Sequence, residues 1–262
     1  MSLTAARIAE FAASLDAAAQ ECRPVPKLTD REPQLSMADA YEIQWALRNR
    51  RLAAGRRVSG LKMGLTSRSK MKQMGVETPI YGFLLDDFSV PADSEVPVAG
   101  LIHPRIEPEI ALFTNRMLQG PGCTIADALA AIDFAIPAIE VIDSRFADFK
   151  FDLPSVVADN ASSARYVVGG TARRLDDLDL RTLGVVVEKN GEAVAFGAGA
   201  AVLGHPALSL AMLANLLAQR EQHIPAGTFV MTGGLTEAIA AKAGDHFLAR
   251  FQALGSVSIR FT

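Results

Sequence analysis

Glu107 and Glu109 stand one residue apart in the stretch "IEPEI", and a third glutamate, Glu140, sits in "FAIPAIEVID" with no other charge between Asp133 and Asp143. In an extended chain residues i and i+2 point to one side, so Glu107 and Glu109 project together. Pro108, between them, has no N–H to give to a ladder, which predicts an edge strand or one that ends near a cleft. A solvated polar face is the ordinary reading of such a pair. Against it stand the apolar flanks Ile106, Ile110, Leu112 and Phe113. Three carboxylates converging within about 5 Å would repel by roughly 3 kcal/mol per pair at an effective dielectric of about 20. Either their pKa values rise or a cation holds them, and a cation is the more economical solution.

A site of oxygens alone selects a hard ion such as Mg²⁺, and Mn²⁺ accepts similar sites. Zinc would want histidine or cysteine, and the four histidines, at positions 103, 205, 223 and 246, show no ligand spacing. His103 reads as a structural or supporting residue rather than a ligand. Lys62 sits mid-strand among Leu61, Met63 and Leu65, an odd place for an ammonium unless it snorkels to the surface. "TGGLT" (232–236) is either a plain turn or a loop whose glycines let backbone N–H groups approach a ligand. "DNASS" (159–163) offers an amide and hydroxyls to a carboxylate, or forms an Asx-type turn. Arg145 reads as a structural partner of Asp143. No G-x-S-x-G elbow or Ser/His/Asp signature is present.

The elements that must position these groups are legible from periodicity and punctuation. Residues 3–20 have helical spacing, with Leu3, Ile8, Phe11 and Leu15 near one face. Ser36 caps a second helix, with Asp39 three residues on and Gly55 at its end; Tyr41 and Trp45, four apart, should pack together on it. A strand follows over "RRVSGLKMGLT", then a short helix "SRSKMKQMG" stopped by Gly75. Thr124 opens a helix with Asp127 completing the capping pattern, and Asn190-Gly191 joins two alternating strands as a hairpin. "PALSLAMLANLLAQRE" reads as the best amphipathic helix, introduced by "GHP" at 204–206. Further strands close the chain. Helices first and then many strands argue an α+β fold with a largely antiparallel or mixed core, one domain over 1–262 with residues 1–55 as a helical cap on a β-rich core.

Composition bounds the partners. The chain has 262 residues, 50% of them hydrophobic and 21% charged, with a net charge of −3. Nothing basic is in excess to neutralise phosphates, so nucleic acid is not an expected partner. Cys22 and Cys123 lie far apart and fit a reduced cytoplasmic protein. The N-terminus carries Arg7, Glu10 and Asp16, unlike a secretory signal, and apolar runs such as "FGAGAAVLG" are too short for a bilayer. A soluble protein with no membrane partner is expected.

The stretches "GLKMGLTSRSKMKQMGVETPIYGFLLDD", "HPRIEPEI", "AIPAIEVIDSR", "DNASSARYVVGG" and "MTGGLTEA" occur in order over nearly the whole chain. Together they resemble the decarboxylases of the hydratase/decarboxylase branch of the fumarylacetoacetate hydrolase superfamily. The resemblance implies a mixed β-roll core with surrounding helices, and a Mg²⁺ or Mn²⁺ site built from Glu107, Glu109 and Glu140. It implies loss of CO₂ from the dicarboxylate 2-oxo-3-hexenedioate, giving 2-hydroxypenta-2,4-dienoate, in meta-cleavage degradation of aromatic compounds. It assigns Lys62 to a substrate carboxylate or to proton delivery, with substrate contacts at Leu65, Thr66, Asn160, Ser162, Ser163, Thr232 and Gly233. A homo-oligomer and a complex with the hydratase that consumes the dienol are further implications. Two alternatives stay open: the sister 2-hydroxypenta-2,4-dienoate hydratase, and a non-catalytic, metal-stabilised partner of it. Hydratases of this branch tend to carry an acid in the loop matching "ETPIYG", where this chain has Ile80.

Overall fold

The computed structural model describes residues 2–68, 71–72 and 77–262, so the helix expected to stop at Gly75 lies largely outside the described residues. The chain opens with α1 (Ala5–Gln20), α2 (Leu28–Arg31) and α3 (Met37–Ala53). Strands β1 (Val58–Gly64), β2 (Ile80–Leu85), β3 (Ser89–Val90), β4 (Glu95–Val96) and β5 (Arg105–Thr114) follow, then α4 (Ile125–Ala131) and β6 (Ile132–Ile142). After α5 (Leu153–Ala158) come β7 (Ser163–Val168), β8 (Gly184–Lys189), β9 (Glu192–Ala198), α6 (Pro206–Ala218), β10 (Phe229–Gly234), β11 (Ile239–Ala240), β12 (His246–Phe251) and β13 (Gly255–Phe261). Local signals did what they should: Thr124 and Asp127 form a reciprocal capping box on α4. Asn190 and Gly191 take positive φ in the β8–β9 hairpin.

The larger sheet runs β2-β1-β10-β5-β6-β7-β3, with β11 also paired to β5; the smaller runs β4-β13-β12-β8-β9. Between them lies the main core, with Ile106, Ile110 and Leu112 from β5, Ile139 and Val141 from β6, and Phe247, Ile259 and Phe261 from the smaller sheet. The opposite face of the larger sheet is concave. In a flat sheet β1 and β6, three strand spacings apart, would be about 14 Å from each other. Yet Lys62 Nζ on β1 lies 3.0 Å from Glu140 Oε2 on β6. The sheet therefore curls until β2 touches β7.

Three expectations are corrected here. β5 is an interior strand, flanked by β6 on one side and by β10 and β11 on the other. Pro108 is tolerated because β10 breaks register between Met231 and Gly234 just opposite it, while the Pro108 carbonyl still accepts from the Leu235 N–H. A strand residue's N–H and C=O point the same way, so the missing donor faces the break. Next, α6 is not two-faced: no residue in it is exposed, and Gly199–Ala218 as a whole is long and apolar enough to cross a membrane by length and composition, contrary to the expectation from shorter runs. Over half of that stretch is buried inside the fold, where it serves as a core helix. Finally, Tyr41 and Trp45 turn to β2 rather than to each other: Tyr41 stacks on Tyr81 at 4.7 Å and Trp45 meets Phe83 edge-on at 5.1 Å.

The N-terminal helices close one end of the curl. Phe11, Leu15, Ala40 and Ile43 pack with Ile80, Phe146, Val157 and Ala161. Gln44, fully buried on α3, donates from Nε2 to the carbonyls of Tyr81 and Val157 at 2.8 and 2.9 Å, fastening β2 to α5.

Candidate metal centre and active site

Register brings the three glutamates together. Glu107 on β5 is the direct cross-strand partner of Glu140 on β6, so both share a face, and Glu109 follows Glu107 by two on the same face. One oxygen from each lies within 4.8 Å of the others. Glu109 and Glu140 are fully buried. Beneath them Ala111, Ala138, Met231 and Leu84 form a small apolar cluster, a floor that keeps the local dielectric low.

Charge at this depth has consequences. Burial drives Glu109 well above the ordinary glutamate range and the neighbouring Glu140 adds to it, against the pull of Lys62 and of the Gly233 N–H. Burial likewise raises Glu140, opposed by Lys62. For Lys62 burial alone would favour the neutral amine, but Glu140, Glu107 and Glu109 outweigh it and hold the ammonium above its usual value. Lys62 is 2% exposed. Its Nζ is bracketed by Glu140 and by the Ala161 carbonyl at 3.1 Å. Glu109 Oε2 accepts from the Gly233 N–H at 2.7 Å, while among the described residues Glu109 Oε1 and Glu140 Oε1 are buried without a hydrogen-bond partner. An oxygen-only donor set, with unsatisfied oxygens on its two buried members, fits a hard divalent cation.

The other candidate residues divide by what they already hold. Gly233 has φ +113°, and a Cβ there would collide with Thr66 Oγ1, so glycine is required where β10 breaks. Thr66 is buried in that contact, and Leu65 beside it takes φ +55°. The Ser162 hydroxyl is buried without a partner among the described residues, and Ser163 lowers the pKa of Glu140. Thr232 is committed elsewhere: its Oγ1 donates to the Ile110 carbonyl and its own carbonyl accepts from Ser209 Oγ, both at 2.7 Å. Asn160 is committed too, accepting from the Phe83 N–H and donating to the Phe83 carbonyl. These two side chains spend their polar atoms on backbone and hold the loops that frame the site. Ile80 is buried at the start of β2, against Gly64.

Arg145 is corrected as well. Its ion pair is with Asp159, from Nε to Oδ1, and not with the Asp143 carboxylate. Asp143 instead accepts the N–H groups of Ile102 and His103. Burial pushes Asp159 up to about 6 despite Arg145. The His103 ring packs on Phe149. His205 does introduce α6: its Nδ1 accepts from the Ala207 N–H. Sequence reasoning missed two groups altogether, the Ala161 carbonyl on Lys62 and the Arg145–Asp159 pair.

No family model matches the chain. The curled-sheet fold is shared with fumarylpyruvate hydrolase from Pseudomonas aeruginosa in complex with Mn²⁺ and pyruvate, at TM-score 0.60 and 15% identity over 77% of this chain and 88% of that one. It is the fold of the fumarylacetoacetate hydrolase superfamily. The sequence is 59% identical over 255 residues, 97% of each chain, to a 4-oxalocrotonate decarboxylase of Pseudomonas putida. It superposes at TM-score 0.98, with 56% identity over 100% of this chain and 99% of the other, on 4-oxalocrotonate decarboxylase from Pseudomonas putida G7 complexed with magnesium and adipate. A 2-keto-4-pentenoate hydratase of Paraburkholderia xenovorans is 38% identical over 252 residues, 96% of this chain and 94% of that one. The chain belongs to the 4-oxalocrotonate decarboxylase family.

Proposed function

We propose that the protein is a Mg²⁺- or Mn²⁺-dependent carboxy-lyase that converts 2-oxo-3-hexenedioate to CO₂ and 2-hydroxypenta-2,4-dienoate. The observation that carries this reading is the cluster of Glu107 with the buried Glu109 and Glu140, with Lys62 held against it, in a chain so similar to a decarboxylase complexed with magnesium and adipate. When the carbon–carbon bond to the distal carboxylate breaks, its electron pair moves through the 3,4-double bond to the 2-oxo oxygen. The chemistry that a divalent cation held at the glutamates would supply is Lewis-acid stabilisation of that developing charge. The three glutamates would hold the cation, and their apolar floor keeps water from competing. Lys62, its ammonium fixed between Glu140 and the Ala161 carbonyl, is placed to bind a substrate carboxylate or to return a proton to the dienolate. We assign substrate contacts to Leu65, Thr66, Gly233, Ser162 and Ser163; Thr232 and Asn160, whose polar atoms bind backbone, would hold the segments that carry them.

We read the chain as one unit over 1–262, its first 55 residues a cap, working in the cytoplasm as a homo-oligomer and beside the hydratase that consumes its product. Supporting association are Val194 and Phe196, the latter 71% exposed, on the outermost strand of the smaller sheet. The test is direct: purified protein with Mg²⁺ or Mn²⁺ should release CO₂ from 2-oxo-3-hexenedioate. Hydration of 2-hydroxypenta-2,4-dienoate without CO₂ release would make it the sister hydratase instead.

A further inference from the structure

The segment after α5 has an unusual backbone. Asn160, Ala161 and Ser162 take φ of 52°, 50° and 59° in succession, a left-handed run in which none is glycine. Such a run persists only where its surroundings over-determine it. Three devices do so here. Asn160 mimics a strand partner against Phe83. Gly82 leaves the room for it, since a Cβ there would come within 2.8 Å of the Asn160 carbonyl. Arg145 supplies the third: its Nε and backbone N–H bind the two carboxylate oxygens of Asp159, Nη2 donates to the Asp159 carbonyl, and Nη1 donates to the carbonyls of Asp143 and Ser163. The guanidinium thus grips both ends of the left-handed run. At its middle, the Ala161 carbonyl faces Lys62 Nζ.

We propose that Arg145 is a positioning residue for the reaction: by clamping Asp159 and Ser163 it aims the Ala161 carbonyl at Lys62 and so fixes the ammonium over the carboxylate cluster. The proposal rests on the role given to Lys62 above. Only a planar fork can reach all four acceptors at once; a point charge in its place satisfies Asp159 but releases Ser163. The glutamates hang from β5 and β6, outside the segment that the clamp holds, so ion capture and lysine placement should separate.

Arg145→Lys is the informative variant, because it retains a cation for Asp159 while losing the fork. The expected result is a folded protein whose Mg²⁺ affinity, by titration calorimetry, stays within about threefold of wild type. Its kcat for CO₂ release should fall by about 30- to 100-fold with KM changed by less than about threefold, the signature of a misplaced group. Amide hydrogen exchange should quicken over 159–163 and not in β5 or β6. Unchanged kcat, or kcat and Mg²⁺ affinity falling together, would overturn the proposal and leave Arg145 a plain packing residue. Should Arg145→Lys fail to fold, Asn160→Ser, which frees the same run from Phe83 and spares the ion pair, is held to the same readouts. If wild-type protein itself releases no CO₂, the assigned reaction has failed; the clamp is then judged on loop exchange against Mg²⁺ affinity alone.

Discussion

Two clusters of charge are buried near each other in this molecule, and they are finished to different degrees. Around Arg145 every reach of the guanidinium meets an oxygen, from Asp159, Asp143 or Ser163. On Glu109 and Glu140 carboxylate oxygens are left that meet no donor among the described residues. Both clusters cost desolvation. The first recovers it with internal partners and behaves as structure. The second has an internal counter-charge, Lys62 against Glu140, and recovers the rest only when a further cation enters. The contrast explains why a closed network specifies a loop while an open one specifies a ligand.

The largest way to break this comparison is at the open cluster. Glu109→Gln should lower turnover by on the order of 10³-fold, about 4 kcal/mol in barrier, and exhaustive chelation should do the same to wild type, both followed by CO₂ release. The folded state should survive, because the substitution removes a repelled buried charge. Next, the closed cluster should behave oppositely. Arg145→Met strands a buried carboxylate and should cost about 3 kcal/mol of stability in denaturant melts, whereas adding Asp159→Leu should recover most of it.

Acidity sharpens the contrast. Glu109 and Glu140 have folded pKa values raised above the ordinary 4.5, so the metal-free folded state binds more protons than the unfolded chain. Stability of metal-free protein should therefore fall as pH rises from about 4.5 through those raised values, with a slope of up to about 1.4 kcal/mol per pH unit for each proton retained. Added Mg²⁺ should reverse the trend, since the ion competes with those protons. Melting temperatures from about pH 5 to 8, with and without Mg²⁺, check both signs. The smallest effect concerns Ser162: Ser162→Ala removes a buried hydroxyl that has no partner among the described residues, so stability should change by less than about 0.5 kcal/mol while KM rises.

How much of this could be read beforehand follows from how far each interaction reaches. The capping box at Thr124, the turn at Asn190-Gly191 and the shared face of Glu107 and Glu109 are set by residues within a few positions, and all were legible. Glu140 was legible because an isolated charge in an apolar strand is conspicuous. Pro108 misled, since the break in β10 that excuses it lies more than a hundred residues away. Arg145 misled for the same reason: Asp143 was the nearer acid, but strand geometry turned its carboxylate toward Ile102 and His103. Tyr41 and Trp45 had the right spacing to touch, yet the rings of β2 offered a larger surface.

The curl of the larger sheet carries one more implication. The three glutamates belong to a single pair of adjacent strands, whereas Lys62 arrives from across the concavity, held there only while the curl is closed. Loosening that closure with mild denaturant would part the lysine from the acids before the acids part from one another. A molecule caught half-open would still sequester magnesium and yet be inert, so that ion uptake alone is a poor gauge of how many copies in a preparation can work.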